Sequence, residues 1–320
     1  MKLSKLLIIA IATLFFTACS TEEEYSLTRH ELVFQASMGN NETRATSDGT
    51  WNVGDIVAVR VGTTVKKYVI ETDGKVKGAN AENTFYWEDL GVSSVEVTAW
   101  SFGKKYVESL SNGVTIESDQ SEEQYYLNSD FLYAPTTTIS KGEDDLSELS
   151  FYHQMARLNI NIKCDESAVI SSVVIGDKDE DNYYPLYLQA TYTEPTAGTD
   201  DNYVATHGSF DIDYDSETNI IPYKKDDATS GYDVSYSAIL LPAPYETFIV
   251  YITLADGSKF SYIGGIYNNN NNKVNPFDPG TVNTFNITIK NKELKVDGSF
   301  DAATGQTMDP VSVNDWIYQI

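Results

Sequence analysis

Histidine and cysteine are nearly absent from this sequence, with three His and two Cys in 320 residues. His30, His153 and His207 lie far apart, and none has a second histidine at metal-ligand spacing, so no zinc site is expected. The Gly-x-Ser-x-Gly, Cys-x-x-Cys and glycine-rich phosphate-loop patterns are missing as well. Together these absences leave no residue to nominate as catalytic, and no metal and no cofactor to expect. The 47 acidic residues always supply some pair of carboxylates, so a glycosidase pair cannot be picked out from sequence. Asp177, Asp179 and Asp181 alternate and could touch one calcium ion, but the loop lacks the glycine and terminal glutamate of an EF-hand. A solvated β-turn is expected there. Basic residues are scarce too, 22 against 47 acids, for a net charge of −25. That balance excludes nucleic acid as a partner and disfavours an anionic membrane surface, because both select basic patches. No stretch keeps a helical period for more than two turns.

One long apolar run is present, at the start. Lys2 and Lys5 precede Leu6 to Phe16, and the run stops at Thr17-Ala18-Cys19-Ser20. Basic start, apolar core and small-residue cut site make a secretion signal. The run is too short for a membrane span, which takes about 20 apolar residues. The cysteine at the cut resembles the lipobox of bacterial lipoproteins, with Phe16 where leucine is usual. The resemblance implies removal of residues 1–18, acylation of Cys19 and an outer-membrane lipid anchor. Glu22, Glu23 and Glu24 follow in an acidic tether, residues 19–28, and resemble the export signal that sends lipoproteins of Bacteroidetes-type bacteria to the cell surface. Losing Lys2 and Lys5 would take the formal charge from −25 to −27. With Cys19 acylated, no intrachain disulfide is expected. Cys164 is in phase with the apolar residues from Leu158 onward and reads as a small buried hydrophobe.

The rest of the chain reads as strands. Leu32, Phe34 and Ala36 share one face of a first strand near 30–36. Runs at 56–61, 64–71 and 94–100 follow, the last with Val95, Val97 and Ala99 alternating against polar neighbours. Leu149 to Cys164 is one long β run in which Met155 and Ala156 break the alternation, so a bulge or bend is expected. Phe248 to Gly265 is the clearest hairpin, turning at Asp256-Gly257. Aromatics at 12% and apolar residues at 41% are too rich for a disordered acidic chain. The fold class is all-β, with two sandwich domains in series, residues 29–147 and 148–320.

Several short motifs recur in a recognisable order. They are Thr43-Arg44-Ala45-Thr46, Trp51-x-x-Gly54-Asp55, Phe151-Tyr152-His153-Gln154-Met155-Ala156-Arg157-Leu158, Phe277-x-Pro279-Gly280 with Phe285-Asn286-Ile287-Thr288-Ile289, and Asp309-Pro310-Val311-Ser312-Val313-Asn314-Asp315-Trp316. With the lipoprotein signal, they resemble the fimbrillin-like family of Bacteroidetes, the FimA and Mfa type of fimbrial subunit. The resemblance implies two tandem transthyretin-like β-sandwich domains and no enzyme. It implies an arginine-specific protease as a partner, cutting at Arg44-Ala45 and releasing the strand that carries Leu32, Phe34 and Ala36. Other fimbrial subunits then partner the chain by strand exchange, with Val311, Val313 and Trp316 in a donor strand near 310–320. A host or bacterial surface ligand could be a further partner, and stalk, tip and anchor positions all stay open. The alternative is a monomeric surface lipoprotein binding glycan or host protein through some of its 22 tyrosines.

Overall fold

The computed structural model describes residues 29–39, 51–142, 146–164, 168–177, 184–196, 202–245, 247–265, 277–290 and 293–301. Within them the chain is mostly β. Its first half holds β1 (Phe34–Met38), β2 (Ile56–Val61), β3 (Thr64–Ile70), β4 (Lys75–Gly78), α1 (Trp87–Leu90), β5 (Ser94–Ser101), β6 (Val114–Thr115), α2 (Glu123–Ser129), β7 (Leu132–Ser140) and β8 (Glu148–His153). Seven of these strands close a barrel in the order β1-β4-β3-β2-β5-β7-β8. Closure removes both sheet edges, so this half is a barrel where two separate facing sheets were expected.

Alternation in the strands builds two cores from one wall. Val57, Val59, Val97, Ala99, Leu132 and Ala134 point into the barrel, with Tyr68, Leu149 and Phe151. Their neighbours Ala58, Trp100 and Tyr133 point outward and join a second, larger core. Most of that core comes from the other half of the chain. This half holds β9 (Ala156–Cys164), β10 (Ile170–Ile175), β11 (Leu186–Tyr187), β12 (Gln189–Thr193), α3 (Asn202–Thr206), β13 (Ser209–Ile212), β14 (Glu217–Thr218), β15 (Tyr223–Lys224), β16 (Val234–Leu240), β17 (Thr247–Leu254), β18 (Lys259–Gly265), β19 (Val282–Lys290) and β20 (Glu293–Asp301). A five-stranded sheet runs β15-β16-β9-β19-β20, and a three-stranded sheet runs β10-β17-β18. The β17–β18 hairpin turns where the Asp-Gly signal stands, with Gly257 at φ 87°.

The long run from Leu149 to Cys164 is divided between the halves. β8 is hydrogen-bonded into the barrel although it lies beyond the boundary drawn at 147/148, and β9 is central in the other sheet. The expected irregularity at Met155 and Ala156 is the crossing point. Gln154 fixes it. Its amide nitrogen donates to the Thr206 carbonyl at 3.1 Å, and its oxygen accepts from Gly208 N–H at 2.9 Å and Tyr192 O–H at 3.1 Å. The excursion between β5 and β7 also crosses over: β6 pairs with β12, and Gln120 brackets Ile239 with two bonds of 2.8 Å. Across the same junction, Arg60 of β2 makes a bidentate pair with Glu194 at 2.6 and 2.7 Å, and Tyr133 O–H donates to Glu194 at 2.9 Å.

Asp177 departs from the solvated turn expected of it. It is buried and accepts a hydrogen bond from Tyr251 O–H at 2.6 Å. The reason is the isolated bridge between Asp177 and Tyr184, which holds the carboxylate against the β17 face. Asp179 and Asp181 lie outside the described residues, so the cation reading rests on Asp177 alone.

Candidate functional site: the first strand and its slot

β1 occupies the seam of the barrel. It runs parallel to β8 over Gln35–Met38 and antiparallel to β4 over Phe34 and Gln35 only. Backbone bonds at the ends of this short ladder add to its seat. Gln35 N–H donates to the Ser147 carbonyl at 2.9 Å, Ala36 N–H to Gly74 at 3.3 Å and Gly39 N–H to Phe151 at 2.7 Å. Upstream, Leu32 N–H donates to the Phe85 carbonyl at 2.8 Å, and Trp87 N–H to the His30 carbonyl at 2.9 Å.

Side chains hold it as well. Leu32 and Phe34 are wholly buried and Ala36 nearly so, all three in the barrel interior. Phe34 stacks on Tyr68 with ring centroids 6.0 Å apart, and Tyr68 accepts from Phe85 N–H at 3.0 Å. Burial pushes the Tyr68 hydroxyl well above its usual range, so it stays a neutral wall of the slot. Burying a large apolar side chain is worth about 1.5–3 kcal/mol, so Leu32 and Phe34 together contribute about 3–6 kcal/mol as an upper figure. That is a sizeable share of the 5–15 kcal/mol typical of a whole domain. The strand is therefore firmly held, yet by contacts that another apolar strand could also make. Gly39 ends the seat closely: a Cβ there would lie 2.2 Å from the Tyr152 ring.

The predicted displaced-strand residues are thus brought together in one slot. The other predicted positions, Cys19, Glu22, Glu23, Glu24, Arg44, Ala45, Val311, Val313 and Trp316, lie outside the described residues. Cys164 is half-buried at the end of β9, packed against the larger core. The histidines stay apart: His30 meets Glu88, His153 meets Asp130 at 2.9 Å, and His207 meets Thr206 at 2.9 Å. Among the described residues no three His, Cys, Asp or Glu side chains gather around a common point.

A family profile described as fimbrillin-like matches residues 43–316. The chain belongs to the fimbrillin-like family. Solved structures agree on the fold of this fimbrillin-like chain. A candidate cell adhesion protein from Bacteroides uniformis is 19% identical with a TM-score of 0.55, over 87% of this chain and 98% of that one. A second, from Bacteroides ovatus, is 17% identical at TM-score 0.55, over 90% and 99%. A fimbrial assembly protein from Parabacteroides distasonis is 11% identical over 88% and 98%, and at TM-score 0.42 the likeness is too loose to bear on function. No match was found among curated proteins. The family supports a fimbrial or adhesive subunit at the cell surface.

Sequence reasoning found the buried face of β1 from its alternation. It missed Arg29 and His30, which sit just before that face and contact α1. Their signal was faint: adjacent basic residues in a chain with little basic charge.

Proposed function

We propose that the chain is a fimbrial subunit exported as a lipoprotein through Cys19 and Glu22 to Glu24 and polymerised by strand exchange. In this reading the two β halves are tandem transthyretin-like domains. An arginine-specific protease cuts at Arg44-Ala45, and the segment ahead of the cut, with its anchor, then leaves. A strand from another subunit fills the slot, and this chain's own C-terminal segment, carrying Val311, Val313 and Trp316, is the donor to a neighbouring subunit.

One observation carries the reading. The five-residue β1 closes the barrel between β4 and β8, with Leu32, Phe34 and Ala36 in the core. Its departure would leave two strand edges with unpaired backbone groups and an apolar trench between them, which an incoming strand satisfies together. The test is Arg44→Ala beside a deletion of residues 310–320. The first should block processing and leave a folded monomer. The second should be processed normally and stop chain growth. Both are read by electron microscopy and by ladders of unboiled sample on denaturing gels, and normal filaments from both variants would overturn the mechanism.

A further inference from the structure

The mouth of the slot carries a charge pattern that the strand-exchange reading does not use. The Leu32–Phe85 and His30–Trp87 backbone bonds set residues 29 and 30 in register against Tyr86 to Asp89. Arg29 is ion-paired to Asp89, and its guanidinium lies 3.8 Å from the centroid of the Tyr86 ring. His30 N–H donates to Glu88 Oε2 at 2.8 Å, and its ring Nδ1 is 2.8 Å from Glu88 Oε1. Lys141 Nζ approaches the same Oε1 at 3.1 Å. When β1 leaves, Lys141 still neutralises Glu88, while Asp89 and the Tyr86 face lose their cation. Residues 302–320, which include the expected donor, contain no Lys, Arg or His. The chain's own tail therefore cannot restore what its first segment supplied.

We propose that Tyr86, Glu88 and Asp89 form a specificity subsite of the slot that recognises a basic residue at the head of the strand lying in it. The occupant it favours after exchange is a strand from a different polypeptide, bearing Arg or Lys a few residues before its buried apolar pair, rather than the tail of a second copy of this chain. The proposal rests on the strand-exchange reading above. An ion pair at the surface is weak alone, but the Arg29–Asp89 pair, the His30–Glu88 hydrogen bonds and a cation over an aromatic face should together favour a basic-led strand about tenfold.

The test uses the full chain with residues 41–47 replaced by the recognition sequence of a site-specific protease, so that cutting does not depend on Arg44. The cut protein is offered fluorescent peptides: residues 29–39, the same peptide with Arg29→Ala and His30→Ala, and residues 309–320. The native peptide should bind about tenfold more tightly than either other one. The advantage should vanish in a Glu88→Gln, Asp89→Asn protein and in 1 M NaCl. Equal binding of the native and alanine peptides overturns the subsite while leaving strand exchange standing. Tail binding as tight as that of residues 29–39 overturns the choice of partner. A second arm uses the uncut chain: amide exchange at Leu32 and Trp87 in a double-mutant cycle of Arg29→Ala with Asp89→Asn. Coupling between the two changes supports the subsite, and additivity overturns it. Coupling without uptake of any peptide refutes strand exchange, and with it the proposed selectivity.

Discussion

β1 and β19 each have a parallel neighbour on one side and an antiparallel neighbour on the other. β19 pairs with β9 over Val282–Ile289 and with β20 over its whole length. β1 pairs with β8 over four residues and with β4 over two. Both bury a row of apolar side chains, Phe285, Ile287 and Ile289 in one and Leu32, Phe34 and Ala36 in the other. They differ in the ladder. β19 is paired along its whole length by bonds that only its own register can satisfy. β1 combines similar side-chain burial with a much shorter ladder. A strand with a short ladder can be replaced by another strand of matching pattern, whereas one secured by a long ladder is part of the frame.

The strongest way to break this comparison is to empty a core position in each strand. Phe34→Ala should destabilise the barrel by about 3–5 kcal/mol, and Ile287→Ala should cost about 2–5 kcal/mol, in denaturant unfolding. After cleavage between residues 40 and 50, only Phe34→Ala should speed release of the first segment. Equal acceleration by both would show that β1 is no more separable than β19.

A smaller effect is expected from the far wall of the barrel. Glu194→Gln removes the charge that Arg60 and Tyr133 share across the junction and should cost about 1–2 kcal/mol. Segment release should be unchanged, because Arg60 lies on β2, two strands away from β4. A change in release rate would tie the junction to the slot.

The pH dependence should be smaller still. Hydrogen bonding from Arg60, against an opposing push from burial, holds the Glu194 carboxyl below its usual range. A depressed carboxylate stabilises the folded state above its ordinary pKa of about 4.3 and loses that contribution as the pH falls toward its folded value. Stability should therefore drop between about pH 5 and pH 3, less steeply in Glu194→Gln. At the mouth of the slot, the side-chain hydrogen bond from His30 is the main cause holding Glu88 down at about 2. The protection factor of the Leu32 amide, the slowing of its exchange relative to an unstructured peptide at the same pH, should accordingly fall as the pH drops below the ordinary carboxylate range, an effect that Glu88→Gln removes.

Local pattern made the strands legible. The alternation of Val95, Val97 and Ala99, the Asp256-Gly257 turn and the inward face of Leu32, Phe34 and Ala36 are all short-range signals. The break at Met155 and Ala156 was visible as a fault in alternation. Its meaning, a passage from one sheet to another, was not, because only the partners of β8 and β9 reveal it. The Arg60–Glu194 pair spans 134 residues and left no trace in either neighbourhood. The burial of Asp177 was hidden for a similar reason. Its acidic surroundings suggested water, and the Tyr251 hydroxyl that receives it comes from a strand 74 residues on.

The outward face of the barrel wall and the second half of the chain share one continuous core, from Ala58, Trp100 and Tyr133 through Tyr192 to Leu158 and Ile160. Among the described residues no solvated hinge divides that core, and Gln120, Gln154 and the Arg60–Glu194 clasp bridge it. Mechanically, such a body is a single stiff unit. In a thread of these units the compliance would sit at the joints between them. Persistence length would then be set by how deeply each inserted strand is seated, and pulling would tend to part neighbours before it bent any one of them.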